Sequence, residues 1–229
     1  MIRYPRNIIT CLLTLFATLL ISIQSAAQGT HVFTGAEYAI FSEFALNIDP
    51  TSVWSTTRSS SPGYFSAVGD AAYEGKMQGT NFLVDGYVKY YRSTSATVSS
   101  FEFPVGQGSE LRPVIISAVI PDNASFATAW FTGDPGLIID PTDGVTHDRN
   151  SKSPGVVSVL PLGFWDWQTF AGTATGMTIT VSIPDVSAYV HTSSLILLGW
   201  DGARWINLGG TAGAGPYSNN WANGNTEGA

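Results

Sequence analysis

Cysteine is all but missing from this chain: Cys11 is the only one in 229 residues, and it lies in the apolar stretch at the amino terminus. A disulfide framework is thereby excluded. Charge is also scarce, Asp, Glu, Lys and Arg together making 12% of the residues and aromatics another 12%. A disordered tail, rich in charge and poor in aromatics, does not have that composition. Basic residues are the rarest of the charged ones, ten against 17 acidic, for a net charge of −7. Such a surface repels nucleic acid and anionic lipid. Histidine is limited to His31, His147 and His191. None stands in a recognisable motif, and neither a G-x-S-x-G elbow nor an H-E-x-x-H pair occurs, so no hydrolase triad or zinc-protease signature can be read. The three histidines read as ordinary surface or packing residues. After Ile23 no segment keeps a 3.6-residue period, which removes amphipathic helices from the expected fold.

What is present begins with a leader. Arg3 and Arg6 precede an apolar run from Ile8 to Ile23, and Ser25-Ala26-Ala27 follows with small side chains. A basic start, an apolar centre shorter than the roughly 20 residues that span a bilayer, and small residues at its end describe a secretory signal peptide. Cleavage is expected after Ala27, with Gln28 as the first mature residue. Cys11 follows Thr10, where a lipoprotein site has a small residue of another kind, so lipidation is not expected. Removing residues 1–27 takes both arginines and the thiol, leaving eight basic residues against 17 acidic and a net charge of −9. The exported chain is expected in the medium or at the cell surface, without a membrane span, held by packing and by a metal ion if any staple is used.

The rest reads as strands and turns. Met177–Ile183 alternates apolar and hydroxyl side chains and stops at Pro184, the pattern of a half-buried strand. Phe101-Glu102-Phe103 before Pro104 is a second; Phe82–Tyr91, Val114–Ile120, Ser125–Thr132 and Gly155–Leu160 are others. Leu195–Leu208 predicts a hairpin turning at Asp201-Gly202, with Leu198, Trp200 and Trp205 on one face and the two tryptophans as diagonal neighbours. Turn-rich clusters fill 58–63, 106–110, 133–154 and 209–220. The third is longer than ordinary connections and is either a functional loop or an excursion that pairs elsewhere. These features predict an all-β fold, an antiparallel β-sandwich or two packed β layers. An N-terminal β region at 28–95 is expected before a sandwich-like region at 96–229, the change falling in the hydroxyl-rich stretch from Tyr91 to Ser99.

Two groups of residues are candidates for chemistry. In the long loop, Asp140, Asp143 and Asp148 stand close to Asp134 among Gly and Pro, and calcium takes several carboxylate and carbonyl oxygens from such loops. Their spacing matches no EF-hand, and acidic residues also serve simply as turn formers. Trp165 and Trp167 project from one strand face and offer a platform for sugar rings, or else core packing. A glycosidase would need two carboxylates across a cleft; Glu37, Glu43, Glu74, Glu102 and Glu110 are available, although Glu102 reads as the outward residue of its strand. No catalytic residue is assigned.

Several stretches in order resemble a known module. From Asn81 the chain runs N-F-L-V-D-G-Y-V-K-Y-Y, and from Phe101 F-E-F-P-V-G-Q-G-S-E-L-R-P-V-I-I-S-A. Phe164-Trp165-Asp166-Trp167 precedes the alternating Thr/Val strand, and Trp200-Asp201-Gly202 to Trp205 opens a W-D-G-x-x-W hairpin. This series resembles a β-rich module of large exported surface and adhesin-like proteins of Bacteroidota, often carried by type IX secretion substrates. The resemblance implies an extracellular, non-enzymatic structural or adhesion module. A polysaccharide-binding module is the alternative, and an uncharacterised hydrolase the third. The partners implied are extracellular glycans or other surface proteins. Family members continue past a Gly/Asn-rich turn into a closing strand, so one more strand is expected beyond Ala229, unless Trp221 and its neighbours already close the sheet.

Overall fold

The structure is a computed structural model that describes residues 29–41, 45–47, 52–74, 83–118, 120–210, 212–213 and 226–228. The leader, the cleavage point before Gln28 and Trp221 lie outside them. The described residues are almost entirely strand and turn, with a single 3-10 turn at Thr192–Ser194. Among them no helix is long and apolar enough to cross a membrane.

The first strands are β1 (Thr30–Val32), β2 (Glu37–Phe41), β3 (Ala45–Asn47), β4 (Trp54–Thr56), β5 (Tyr64–Val68), β6 (Ala72–Glu74), β7 (Val84–Asp85) and β8 (Val88–Tyr91). They pair in parallel, each with the strand three places on: β1 with β4 and β4 with β7, β2 with β5 and β5 with β8, β3 with β6. The chain therefore winds in coils and stacks each coil on the last. Period-two alternation cannot distinguish this from an antiparallel arrangement, because the side-chain repeat of a strand is the same in both. Stacking aligns like with like inside the coil, so that Trp54 and Phe65 lie 4.9 Å apart, with Tyr38 against both.

The remaining strands are β9 (Ser100–Phe103), β10 (Val105–Gln107), β11 (Glu110–Leu111), β12 (Val114–Ala118), β13 (Ser125–Thr132), β14 (Gly163–Ala171), β15 (Met177–Ile183), β16 (Leu197–Trp200), β17 (Trp205–Gly209), β18 (Ala212–Gly213) and β19 (Thr226–Gly228). Most of their pairs are antiparallel. Two five-stranded sheets, β14-β13-β8-β5-β2 and β18-β19-β15-β12-β9, enclose the main core. Phe65, Val88, Tyr90, Phe126 and Trp130 come from the first, and Phe101, Phe103, Val114, Ile116 and Val181 from the second. A third sheet, β1-β4-β7-β10-β11, and the β14-β13-β8-β5-β2 sheet both draw strands from either side of the Tyr91–Ser99 stretch. The parallel coils and the antiparallel layers thus share two sheets.

Three local expectations need revision. Phe82–Tyr91 divides into β7 and β8 at Gly86, where the backbone has a φ of 144°. Gly155–Leu160 is not a strand: Val156 and Val159 pack on Trp205 while Val157 points outward, a three-residue spacing that no ladder supports. The Leu195–Leu208 hairpin forms, and Leu198, Trp200 and Trp205 join one cluster, yet Trp200 and Trp205 are directly opposite rather than diagonal. The turn between them has four residues, Asp201 to Arg204, closed by Asp201 Oδ1 accepting from the backbone of Ala203 and Arg204.

Candidate functional site

Strand β14 divides the candidate residues between its two faces. Trp165 and Trp167 face the main core: Trp165 lies 4.5 Å from Trp130 and donates its Nε1 proton to the Arg112 carbonyl, while Trp167 packs on Phe126 and Phe103. Both are half-buried, and their rings serve the packing between sheets. The opposite face carries Phe164, Asp166 and Gln168, all buried. It is covered by the long connection between β13 and β14, whose Ile138 packs into the cluster of Tyr87, Ala129, Phe131 and Phe164.

A polar network fastens that connection to the sheet. Asp166 Oδ2 accepts hydrogen bonds from Tyr87 Oη at 2.5 Å, from Thr142 Oγ1 and from Gln168 Nε2 at 3.0 Å. Gln168 also donates to Thr142 and accepts from Tyr64 Oη, at 2.7 and 2.8 Å. Burial, reinforced by the Asp166 charge, pushes the Tyr64 phenol up to about 12 and the Tyr87 phenol higher still, so both remain hydrogen-bond donors. Replacing Tyr87, wholly buried, by Phe keeps the ring and removes one donor from a buried carboxylate. Y87F is expected to destabilise by about 1.5–3 kcal/mol. A urea midpoint equal to the parent's would show that this bond contributes nothing.

Within the connection, Asp140, Asp143 and His147 converge, one donor atom from each lying within 4.8 Å of the others. His147 Nε2 is 2.9 Å from Asp143 Oδ2 and 3.8 Å from Asp140 Oδ2. The imidazole stacks on Trp200 at 4.8 Å and 11°, with Trp205 edge-on to it, so the β16–β17 hairpin sets its plane. Burial, then the neighbouring Asp166 charge, raises the Asp140 carboxyl from 3.8 to about 6. Of the residues proposed from the sequence, Asp140 and Asp143 are brought together. Asp148 is turned to its own loop, accepting from Asn150 and Ser151, and Asp134 caps Gly136 and pairs with Arg149 at 2.7 Å. His147, which belongs to no motif and reads from sequence as an ordinary surface or packing residue, joins Asp140 and Asp143; its position four residues after Asp143 is the one sign of this in the sequence. His31 and His191, both exposed, hydrogen-bond among the described residues to nearby hydroxyls and backbone.

Farther along the same face, Lys89 is 8% exposed, its ammonium 4.1 Å from the Phe170 ring centroid, 4.5 Å from Tyr91 and 5.0 Å from Tyr64. Burial lowers its pKa against the opposing effect of Glu37, 3.8 Å away. Aromatic faces stabilise a cation they desolvate.

The fold and these sites define an all-β protein in which parallel coils run into antiparallel layers, with a long loop pinned across one sheet. No protein-family model, curated protein or solved structure matches the chain.

Proposed function

We propose that the chain is a non-enzymatic module, secreted or held at the cell surface of a Gram-negative bacterium, with a structural or adhesive role. The observation that carries this reading is the connection between β13 and β14. A buried polar network holds it against the sheet, and it turns Leu137 and Val157 outward at 81% and 89% exposure, with Ile139 also exposed. A loop fixed in place that displays apolar side chains is a contact surface, since ordering it beforehand lowers the entropy lost on binding. The leader-like amino terminus and the resemblance to surface modules of Bacteroidota support the same reading.

The alternative, a polysaccharide-binding module, is favoured by a different surface from the one expected. Phe170, 49% exposed, stands with Tyr64 and Tyr91 around Lys89 on the outer sheet face, with Glu37 beside them. Rings and polar groups together suit a sugar. One comparison separates the two. Leu137, Ile139 and Val157 are replaced together by Ser and the variant is expressed in the exporting cell. The contact-surface reading expects an unchanged melting temperature and loss of protein from the cell surface into the medium. Retention equal to the parent's, with retardation of the protein in a polysaccharide-containing gel that F170A abolishes, defeats it in favour of the alternative.

A further inference from the structure

We propose that Asp140, Asp143 and His147 bind a divalent transition-metal ion of the zinc class, closing the long loop on itself. The donor set is the first argument. One imidazole nitrogen and two carboxylate oxygens lie within 4.8 Å of one another. Ligand atoms around an ion with bonds of about 2.0–2.2 Å stand roughly 3–4 Å apart. The 3.8 Å separation of His147 Nε2 from Asp140 falls in that range, and the 2.9 Å separation from Asp143 lies just under it. Calcium prefers six to eight oxygens at longer distances, whereas imidazole with carboxylate suits a smaller ion of borderline softness.

The second argument is an unused ligand atom. Asp140 is 5% exposed; its Oδ1 accepts from the Thr142 backbone at 2.8 Å, and among the described residues no donor reaches its Oδ2. That oxygen lies 3.8 Å from His147 Nε2, on the side of the cluster where Asp143 also converges. A carboxylate oxygen that no protein donor engages is a ligand atom to spare. A cation between Asp140 and His147 would engage that oxygen, taking the place of the contact that His147 Nε2 now makes with Asp143 Oδ2.

The third argument is positioning. The His147 ring is fixed by Trp200 and Trp205, and the second Asp143 oxygen accepts from Val145 N at 3.0 Å. The Asp143 side chain is 39% exposed, which opens the cluster to solvent on that side and gives an ion a way in. In a chain whose only cysteine is Cys11, such a link would tie the loop and, through Trp200, the β16–β17 hairpin to one point.

The test uses the exported chain, stripped with chelator and dialysed. Titration with zinc chloride by calorimetry is expected to saturate at one equivalent and raise the melting temperature by several degrees; calcium chloride at the same concentration is expected to do neither. Cobalt in place of zinc should give the visible absorption of a site with few ligands. Asp143→Asn, on the exposed side, and His147→Gln are each expected to weaken zinc binding about tenfold or more, while H31A and H191A leave it unchanged. The Asn variant keeps the shape of a partly exposed residue, so its metal-free melting temperature shows that loss of binding is not loss of fold. No saturable zinc binding, binding undiminished in both D143N and H147Q, or binding of calcium alone would each overturn the proposal.

Discussion

Replacing Gly86 by Ala is expected to destabilise the protein by about 3 kcal/mol or more. Gly86 has a φ of 144°, and a Cβ there would lie 2.1 Å from Thr56 Oγ1 and 2.9 Å from the Thr56 backbone. Neither contact can relax cheaply. Thr56 is in β4, one coil below, and its Oγ1 accepts the Tyr87 N–H at 2.7 Å, so pushing it away also breaks a buried bond between coils. The same position explains the Asp-Gly-Tyr-Val sequence around it. Asp85 pairs with Arg58 and accepts from Gly108 N, Gly86 lets the coils touch, Tyr87 reaches Asp166, and Val88 enters the core. Gly108 is the control: its φ of 61° also favours glycine, but nothing lies within 4 Å of the added Cβ. G108A should cost only about 1–2 kcal/mol, the strain of the left-handed backbone. Equal losses in urea unfolding of G86A and G108A would defeat the close-approach account.

Trp165→Ala and Trp167→Ala are expected to lose about 3 kcal/mol each, the lower end for a tryptophan truncated in a core, because both rings are half-buried. The losses come from different contacts. Trp165 gives up its packing on Trp130 and its bond to the Arg112 carbonyl, leaving that carbonyl without the indole donor; Trp167 gives up Phe126 and Phe103. Denaturant unfolding of both variants is the measurement. Midpoints within experimental error of the parent's would mean that these rings are not structural, and would return them to the role of a sugar platform.

Much of the strand content could be read from residues alone. In Met177–Ile183 four apolar side chains alternate with hydroxyls, and a strand is the only regular backbone that places them on opposite sides; β15 has those bounds. Ser125–Thr132 is likewise β13. The Trp-Asp-Gly turn determined a hairpin because Asp and Gly tolerate the backbone angles a reversal needs. The absence of any 3.6-residue period determined that the layers would be sheets. All of these are local properties, set within a few residues along the chain.

What the sequence left open depends on residues far apart. Parallel stacking of β1 to β8 joins Thr30 to Trp54 and Trp54 to Val84, partners that share no local signal. Trp165 and Trp167 lay on one face by periodicity, but which face met the core was decided by Trp130, Phe126 and Phe103 on other strands. The acidic loop shows the division most plainly. Its carboxylates were visible, and turn chemistry accounts for Asp134 and Asp148, which cap their own loops. That Asp140 would be buried within the influence of the Asp166 charge, and that Trp200 would stack on His147 beside it, followed only when β14 and the β16–β17 hairpin closed around the loop. Burial and the convergence of charges are properties of the packed structure, because they depend on which surfaces exclude water together.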